Sequence, residues 1–437
     1  MNNKQIFLQR RNEFLDKIKK NSVVIIPANT LQVKNSDVHF PFRQNNNFYY
    51  LTGFPEPDAI LILVKHNSSE KSESILLCSP KNPSLEQWAG YICGSHNAKE
   101  EYLFDQAYDL DDKEEVIFNL LKDKENIYYS LGVNNKLDTL IIKILNNLKS
   151  QVRQGIGIPD SLISYEDILG EMRLIKSEFE ISLMQKAVDI STKAHVKAMQ
   201  SVRDCKSERQ IYAEILREFY YHGASGEAYP SIVASGKNAC ILHYIDNNKY
   251  FSANDLILID AGCEVDNYAS DITRTFPISG KFSKEQLDIY QLVLDAQIAG
   301  IEQVYPGATF DQAQRAILDV LVDGLLKLKI LTGNKKHIID KELYKPFYMH
   351  KSGHYLGLDT HDVGSYKING KWRVLEPGMV ITVEPGLYLS SAIKNLVPKW
   401  HNIGIRIEDD VLVTTSGNKV LSNNLPKKVD DIYNLIR

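Results

Sequence analysis

Four carboxylates occupy positions where the surrounding residues call for a packed interior. Leu256-Ile-Leu-Ile-Asp260 is an unbroken apolar run ending in an acid. Such a run predicts a strand covered on both faces, which sets Asp260 at the mouth of a core. Asp271-Ile-Thr-Arg-Thr-Phe276 alternates instead, with Asp271, Thr273 and Thr275 on one side. A turn containing Gly and Asn joins the two, so the acids read as paired ends of a hairpin. The pattern recurs downstream. Met379-Val-Ile-Thr-Val-Glu384 closes a second apolar run with an acid, and Gly404-Ile-Arg-Ile-Glu408-Asp-Asp-Val-Leu-Val413 reads as one strand with Arg406 and Glu408 on one face.

Carboxylates gathered in a low-dielectric site repel one another and take up protons. Two divalent cations remove that penalty, four positive charges against four negative ones, which is a physical reason to expect a dinuclear metal site. A plainer arrangement stays open for each acid singly: a turn amide, or a guanidinium such as Arg274 or Arg406, could satisfy it. Four such acids together favour the metal. His350-Lys-Ser-Gly-His354-Tyr-Leu-Gly-Leu-Asp-Thr-His361-Asp362 adds three histidines on a Ser/Gly-rich segment, and His243 stands in Cys240-Ile-Leu-His243-Tyr244. His354 is the best ligand candidate among them. One imidazole with four carboxylates is an oxygen-rich set suited to manganese or magnesium more than to the zinc of thiolate sites.

These residues need elements to carry them. Val23–Ile26, Ala59–Val64 and Ser74–Leu77 read as buried strands, Thr52–Pro57 as a turn and Leu137–Leu148 as an amphipathic helix. Together they predict a small α/β amino-terminal domain, taken as residues 1–171. Gly and Pro punctuate the chain from Gly155 to Gly170, and residues 172–437 then form the second domain. Capping-box patterns at Ser177, Ser207, Ser283 and Thr309 start four helices there. The helices come in pairs, each pair followed by a β-rich stretch (230–280, then 345–415), so the fold class is α/β (α+β) with a hint of two related halves.

The whole chain fits such a plan. At 437 residues it has length for two or three cores, and 43% hydrophobic with 24% charged residues excludes a largely disordered chain. A net charge of −4 offers nucleic acid or anionic membrane no general attraction. No apolar stretch reaches membrane-spanning length, and the amino terminus has no signal-peptide core. Five scattered cysteines without a CxxC pair argue for reduced thiols. A cytoplasmic location is the expectation.

The order Asp260, Asp271, His354, Glu384, Glu408 resembles the five-ligand signature of the creatinase/aminopeptidase, or pita-bread, metallopeptidases. The neighbouring text Asp-Ala-Gly-Cys, Asp-Ile-Thr-Arg-Thr-Phe-Pro, Val-Glu-Pro-Gly-Leu-Tyr and Gly-Ile-Arg-Ile-Glu-Asp-Asp resembles its proline-specific branch, as does His-x-x-x-His-x-x-Gly-Leu-Asp-x-His-Asp. In the first domain Ser36–Gln44 and Phe48–Pro57 carry the likeness further. The resemblance implies a pita-bread catalytic domain and two Mn²⁺ ions sharing a hydroxide. Asp260 would bind one ion, His354 and Glu384 the other, and Asp271 with Glu408 would bridge them. It implies His243 and His361 as donors around the scissile bond, Glu384 also as proton shuttle, and His350 as a wall of the proline pocket. Arg406, with Tyr388 in support, would line that substrate region and orient carboxylates such as Asp260. The implied reaction is hydrolysis of the bond between any N-terminal residue and a following proline, by a homo-oligomer (dimer or tetramer). Two alternatives share the fold: a prolidase restricted to Xaa-Pro dipeptides, and a metal-free peptide-holding module.

Overall fold

The computed structural model describes residues 3–67 and 71–436. The chain divides into two compact units, Met1–Met172 and Arg173–Arg437.

The first unit is built on a six-stranded mixed sheet. Its central strand Ser22–Pro27 runs antiparallel to Ile60–Lys65 and parallel to Asn126–Tyr128. The strand Glu73–Cys78 extends the sheet beside Ile60–Lys65. All six residues of Ser22–Pro27 are buried, as expected of an apolar run covered on both faces. One cover is the helix Asn135–Ser150, whose Leu137, Ile141, Ile144 and Leu148 point into the same cluster as Val23, Ile25 and Ile62. The turn expected at Thr52–Pro57 begins as the helix Asn46–Thr52 stops at Gly53. Gly53 adopts φ of +62°, a left-handed conformation that glycine takes without strain.

The second unit repeats a simple order. The helices Glu178–Ser201 and Glu208–Tyr221 precede an antiparallel sheet of Ile232–Ser235, Leu256–Asp260 and Thr273–Pro277. Then Lys284–Ile301 and Phe310–Lys327 precede a second sheet of Val380–Val383, Asp409–Val413 and Asn418–Val420. Full capping boxes close the helix starts at Ser177 and Ser283. The helix at Glu208 begins without one: the Ser207 side chain makes no cap bond, Gln210 Oε1 accepts from the Lys206 amide, and the Ser207 backbone bridges to Tyr250. No helix among the described residues is long and apolar enough to cross a membrane.

One expectation needs revision. Gly404–Val413 is not a continuous strand. Ile403–Arg406 pairs with Gly386–Leu389, whereas Asp409–Val413 pairs with Val380–Val383. The chain changes partners at Ile407 and Glu408, and alternation alone cannot reveal such an exchange.

Candidate metal centre and cleft

All four acids of interest sit at strand ends. Asp260 closes Leu256–Asp260, and across the ladder it faces Thr273; Asp271 stands just ahead of that return strand. Glu384 follows Val380–Val383 directly and Glu408 precedes Asp409–Val413, with Val383 opposite Asp409. Each antiparallel pair therefore delivers one acid from the end of a strand and one from the start of its return. Short contacts lock the two pairs together. Glu408 N donates to the Thr273 carbonyl at 3.1 Å, and Thr275 Oγ1 donates to the Arg406 carbonyl at 3.0 Å. The fully buried Arg274 donates to the Thr273 and Glu408 carbonyls at 2.9 and 2.6 Å and to Asp409 Oδ1 at 2.7 Å. Its guanidinium is thus committed to Asp409 and the backbone, and none of the four acids is satisfied by it.

Tight backbone approach explains the glycines of these motifs. A Cβ on Gly262, in Asp260-Ala-Gly, would lie 1.8 Å from the Ser270 carbonyl oxygen. One on Gly353 would lie 2.1 Å from the Thr382 carbonyl oxygen, where the segment carrying His354 runs along the strand Val380–Val383. That contact sets His354 among the acids. Its Nδ1 donates to the Tyr355 carbonyl at 2.9 Å, which leaves Nε2 facing Asp271 Oδ2 at 3.4 Å and Glu384 Oε1 at 3.8 Å. Ligand atoms from Asp271, His354 and Glu408 all lie within 4.8 Å of one another.

A buried hydrogen-bond web orients these groups. Tyr229 Oη lies 2.6 Å from Asp260 Oδ1 and 2.7 Å from Asp271 Oδ1. Thr273 Oγ1 donates to Glu408 Oε2 at 2.7 Å and accepts from Arg406 Nε at 3.0 Å. Arg406 also donates to Asp260 Oδ2 at 2.6 Å and to Tyr388 Oη at 2.9 Å. Tyr388 Oη in turn meets His350 Nε2 at 2.8 Å, while His350 Nδ1 donates to the Lys351 carbonyl at 2.7 Å. One line of contacts therefore joins Asp260, Arg406, Tyr388 and His350.

Four acids against one internal guanidinium leave the site short of positive charge. Burial pushes the Glu408 carboxyl well up, with Asp271 and Glu384 adding to it. Burial likewise raises Glu384 and Asp260, against the pull of His354 and Arg406 on the first and of Arg406 on the second. The His354 imidazole loses charge stability to burial, but Asp271 and Glu384 more than restore it and raise its proton affinity. His350 and His361 move down, chiefly by burial, and stay neutral at pH 7. A nest of oxygens that holds protons for want of cations fits a divalent metal, and the donor set contains no sulfur.

This nest floors a cleft of about 720 Å³. The five acid and imidazole candidates Asp260, Asp271, His354, Glu384 and Glu408 line it, together with His243, His350, His361 and Arg406. His361 packs edge-on to His354, ring centroids 4.4 Å apart. Tyr388 does not reach the wall; it is 1% exposed and touches the cleft through Arg406 and His350. Several contributors escaped the sequence reading. Tyr229 had only its place before a proline to mark it, and Phe310, Tyr366 and Trp372 form an aromatic side of the cleft that spacing does not announce. Arg173 and Lys176 clamp Asp362, next to His361, at 2.7 and 2.8 Å. An Arg-x-x-Lys before a capping box was the only hint.

The metallopeptidase family M24 pattern matches residues 182–415, more than half of the chain, and an aminopeptidase P N-terminal domain pattern matches residues 7–128. The chain belongs to metallopeptidase family M24. Within that family it is 42% identical over 433 residues to the Xaa-Pro aminopeptidase of Haemophilus influenzae, covering 99% of this chain and 97% of that one. The Pseudomonas aeruginosa aminopeptidase PepP structure superposes with a TM-score of 0.96 at 42% identity, over 99% of this chain and 98% of the other. A zinc-substituted Escherichia coli aminopeptidase P solved with product gives 0.96 at 37% identity, with the same coverage. These likenesses agree with the fold read above: an amino-terminal α/β domain followed by a pita-bread catalytic domain.

Proposed function

We infer that this chain is a metallo-exopeptidase that hydrolyses the bond between an N-terminal residue and a following proline. One observation carries the reading. An M24 chain, aligned end to end with Xaa-Pro aminopeptidases, gathers Asp260, Asp271, His354, Glu384 and Glu408 at the floor of a cleft that His243, His350 and His361 also line. Those five residues are the proposed metal ligands. Two divalent ions are the proposed cofactor; the hard donors suit manganese or magnesium, and the family resemblance favours Mn²⁺. When bound, such a pair neutralises the acids, polarises the scissile carbonyl and lowers the pKa of water.

The chain's own residues do the rest. Arg406 holds Asp260 and Thr273 holds Glu408, so the carboxylates keep their direction whatever occupies the cleft. His243 and His361 supply ring N–H groups to the oxyanion that forms at the attacked carbonyl carbon. Glu384 carries the proton from attacking water towards the proline nitrogen. His350, neutral and tied to Tyr388 and Lys351, serves as the wall against which the pyrrolidine ring packs. Proline has no amide hydrogen and a fixed φ, so a pocket built for its ring selects a bond that a peptidase relying on that N–H handles poorly. Association as a dimer or tetramer and a cytoplasmic location complete the proposal; the five unpaired cysteines support the latter.

The test is a substrate panel with Mn²⁺-loaded protein: Gly-Pro, Arg-Pro-Pro and a longer Xaa-Pro peptide. Release of the first residue from the two longer substrates is expected. Cleavage confined to the dipeptide makes the enzyme a prolidase, and no cleavage with metal bound leaves a peptide-holding module.

A further inference from the structure

The aromatic side of the cleft carries charge of the opposite sign to its floor. Lys351 and Lys367 both line it, both are exposed, and neither has an ion-pair partner among the described residues. Lys367 pairs across a two-stranded hairpin with Trp372, and its Nζ stands 4.5 Å from the Trp372 ring centroid. Phe310 packs edge-on to Tyr366 at 4.7 Å and stacks on Trp372 at 6.4 Å, so an apolar wall backs the ammonium. Lys351 follows His350 directly, and the bond from His350 Nδ1 to the Lys351 carbonyl fixes the backbone it projects from.

The remaining cations of the region are committed elsewhere. Arg406 is taken by Asp260, Thr273 and Tyr388. Arg373 is buried against Glu376 at 3.3 Å, and Lys371 does not line the cleft. Lys351 and Lys367 are therefore cations that line the cleft without an ion-pair partner among the described residues, beside the aromatic face of Phe310, Tyr366 and Trp372.

We propose that Lys351 and Lys367, with Trp372, form a subsite for a peptide carboxylate downstream of proline. The carboxylate comes either from the C-terminus of a short peptide or from an aspartate or glutamate side chain in a longer one. The assignment rests on the peptidase reading above, since it takes His350 as the proline wall. An exposed ammonium–carboxylate contact is modest and screened by salt, so two of them imply a preference of about five- to tenfold.

The experiment compares kcat/KM of Mn²⁺-loaded protein on an Xaa-Pro-Xaa tripeptide with a free or an amidated C-terminus. A second pair is an amidated hexapeptide carrying Asp or Asn at the residue after proline. Each pair is repeated for Lys351→Met and Lys367→Met, which keep an apolar stem, and for the double variant. The expected result is an acid-over-amide or Asp-over-Asn ratio of five to ten, carried by KM, reduced by 0.5 M salt and falling towards one in the double variant. Either pair giving that pattern supports the subsite and names the carboxylate's source. Ratios near one in the parent, or a full ratio in the double variant, overturn it while leaving the peptidase reading intact. No hydrolysis of any peptide overturns both.

Discussion

Lys176→Met should damage catalysis through His361 without touching the metal nest. Lys176, Arg173 and Asp362 form a buried group: their side chains are 1%, 2% and 1% exposed, with Lys176 Nζ 2.8 Å and Arg173 Nη2 2.7 Å from the two Asp362 oxygens. Arg173 also holds Asp359 at 2.7 Å, and Asp362 N donates to the Tyr355 carbonyl at 2.9 Å, so the turn bearing His361 is stapled on both sides. Removing one partner of a buried ion pair costs about 3–5 kcal/mol, because the other charge stays behind. For a unit this large, about 2–4 °C per kcal/mol gives a fall of roughly 6–20 °C in Tm. Burial opposes the Asp362 charge, but Lys176 and Arg173 override it and hold the carboxyl below the usual aspartate range. A depressed acid gives stability that is present above its unfolded value of about 3.9 and is lost as pH falls through the folded one. The gap between parent and variant should therefore hold from pH 5 to 8 and close only below about pH 4. Displacing His361 by about 1 Å can cost about 10²-fold in rate, so kcat should drop at least tenfold with bound Mn²⁺ unchanged. Calorimetry and steady-state kinetics read both effects, and a cycle with His361→Ala decides the cause: the double variant should be no slower than His361→Ala alone. Additive losses, or a Tm within 2 °C of the parent, would falsify the clamp.

Four further outcomes follow from the same geometry. Stripping divalent ions with EDTA should lower Tm and Mn²⁺ should restore it, by about 2.7 kcal/mol at free ion near 100 times Kd. Because burial and neighbouring acids raise Glu408 and Glu384, and Asp271 with Glu384 raises His354, Mn²⁺ binding at pH 7 should expel protons and weaken as pH falls. Titration calorimetry in buffers of different ionisation enthalpy reads this, and zero proton release contradicts the nest. Arg406→Lys places one point charge where a fork serves Asp260, Thr273 and Tyr388. Losing two such bonds, at about 1.5–3 kcal/mol each, should reduce kcat/KM by 10² or more; a loss under threefold refutes the orienting role. His350→Ala should erode the preference for Xaa-Pro over Xaa-Ala peptides at least tenfold while bound metal stays constant, and parallel loss of both would remove His350 from the proline wall.

The strands were the most legible part of the chain. Val23–Ile26 and Leu256–Ile259 show themselves because an apolar run buried on both faces has few other readings. Helix starts at Ser177 and Ser283 were equally open, since a capping box is local chemistry. Whatever depends on distant partners was hidden. Glu408 reads as mid-strand, yet it stands where the chain leaves Gly386–Leu389 and joins Val380–Val383, a switch with no sequence mark. Arg274 is a candidate partner for a nearby acid on proximity, yet its ion-pair partner is Asp409, 135 positions on. Lys176 and Asp362 are 186 apart, and Tyr229 reaches Asp271 from a pre-proline turn. The acids were visible because a carboxylate beside an apolar run is anomalous. Among their supports, Arg406 and Tyr388 stand close to Glu408 and Glu384 in sequence and are candidates on that ground, whereas Tyr229 is not, because a tyrosine before a proline is ordinary.

Glu408, Asp409 and Asp410 show how far partners, more than residue type, decide what an acid does. Asp409 is fully buried but accepts from Arg274, Lys427, Gln297 and Ser422, and Arg274 and Lys427 pull its carboxyl down to about 2 against the cost of burial. Asp410 beside it accepts from the Asp271 amide with one oxygen, has no hydrogen-bond partner on the other among the described residues, and is pushed well up by burial. Glu408 has Thr273 and little else, and burial with its neighbouring acids pushes it up as well. A single well-paired acid thus stands between two raised ones, and Glu408 remains in need of positive charge. Had Arg274 been turned to Glu408, that pair would have satisfied itself and left an ion one carboxylate fewer to neutralise. Affinity for a dication therefore gains where the scaffold spends cations on other acids: Arg274 and Lys427 go to Asp409, and Arg173 and Lys176 to Asp362, while Arg406 is shared with Asp260.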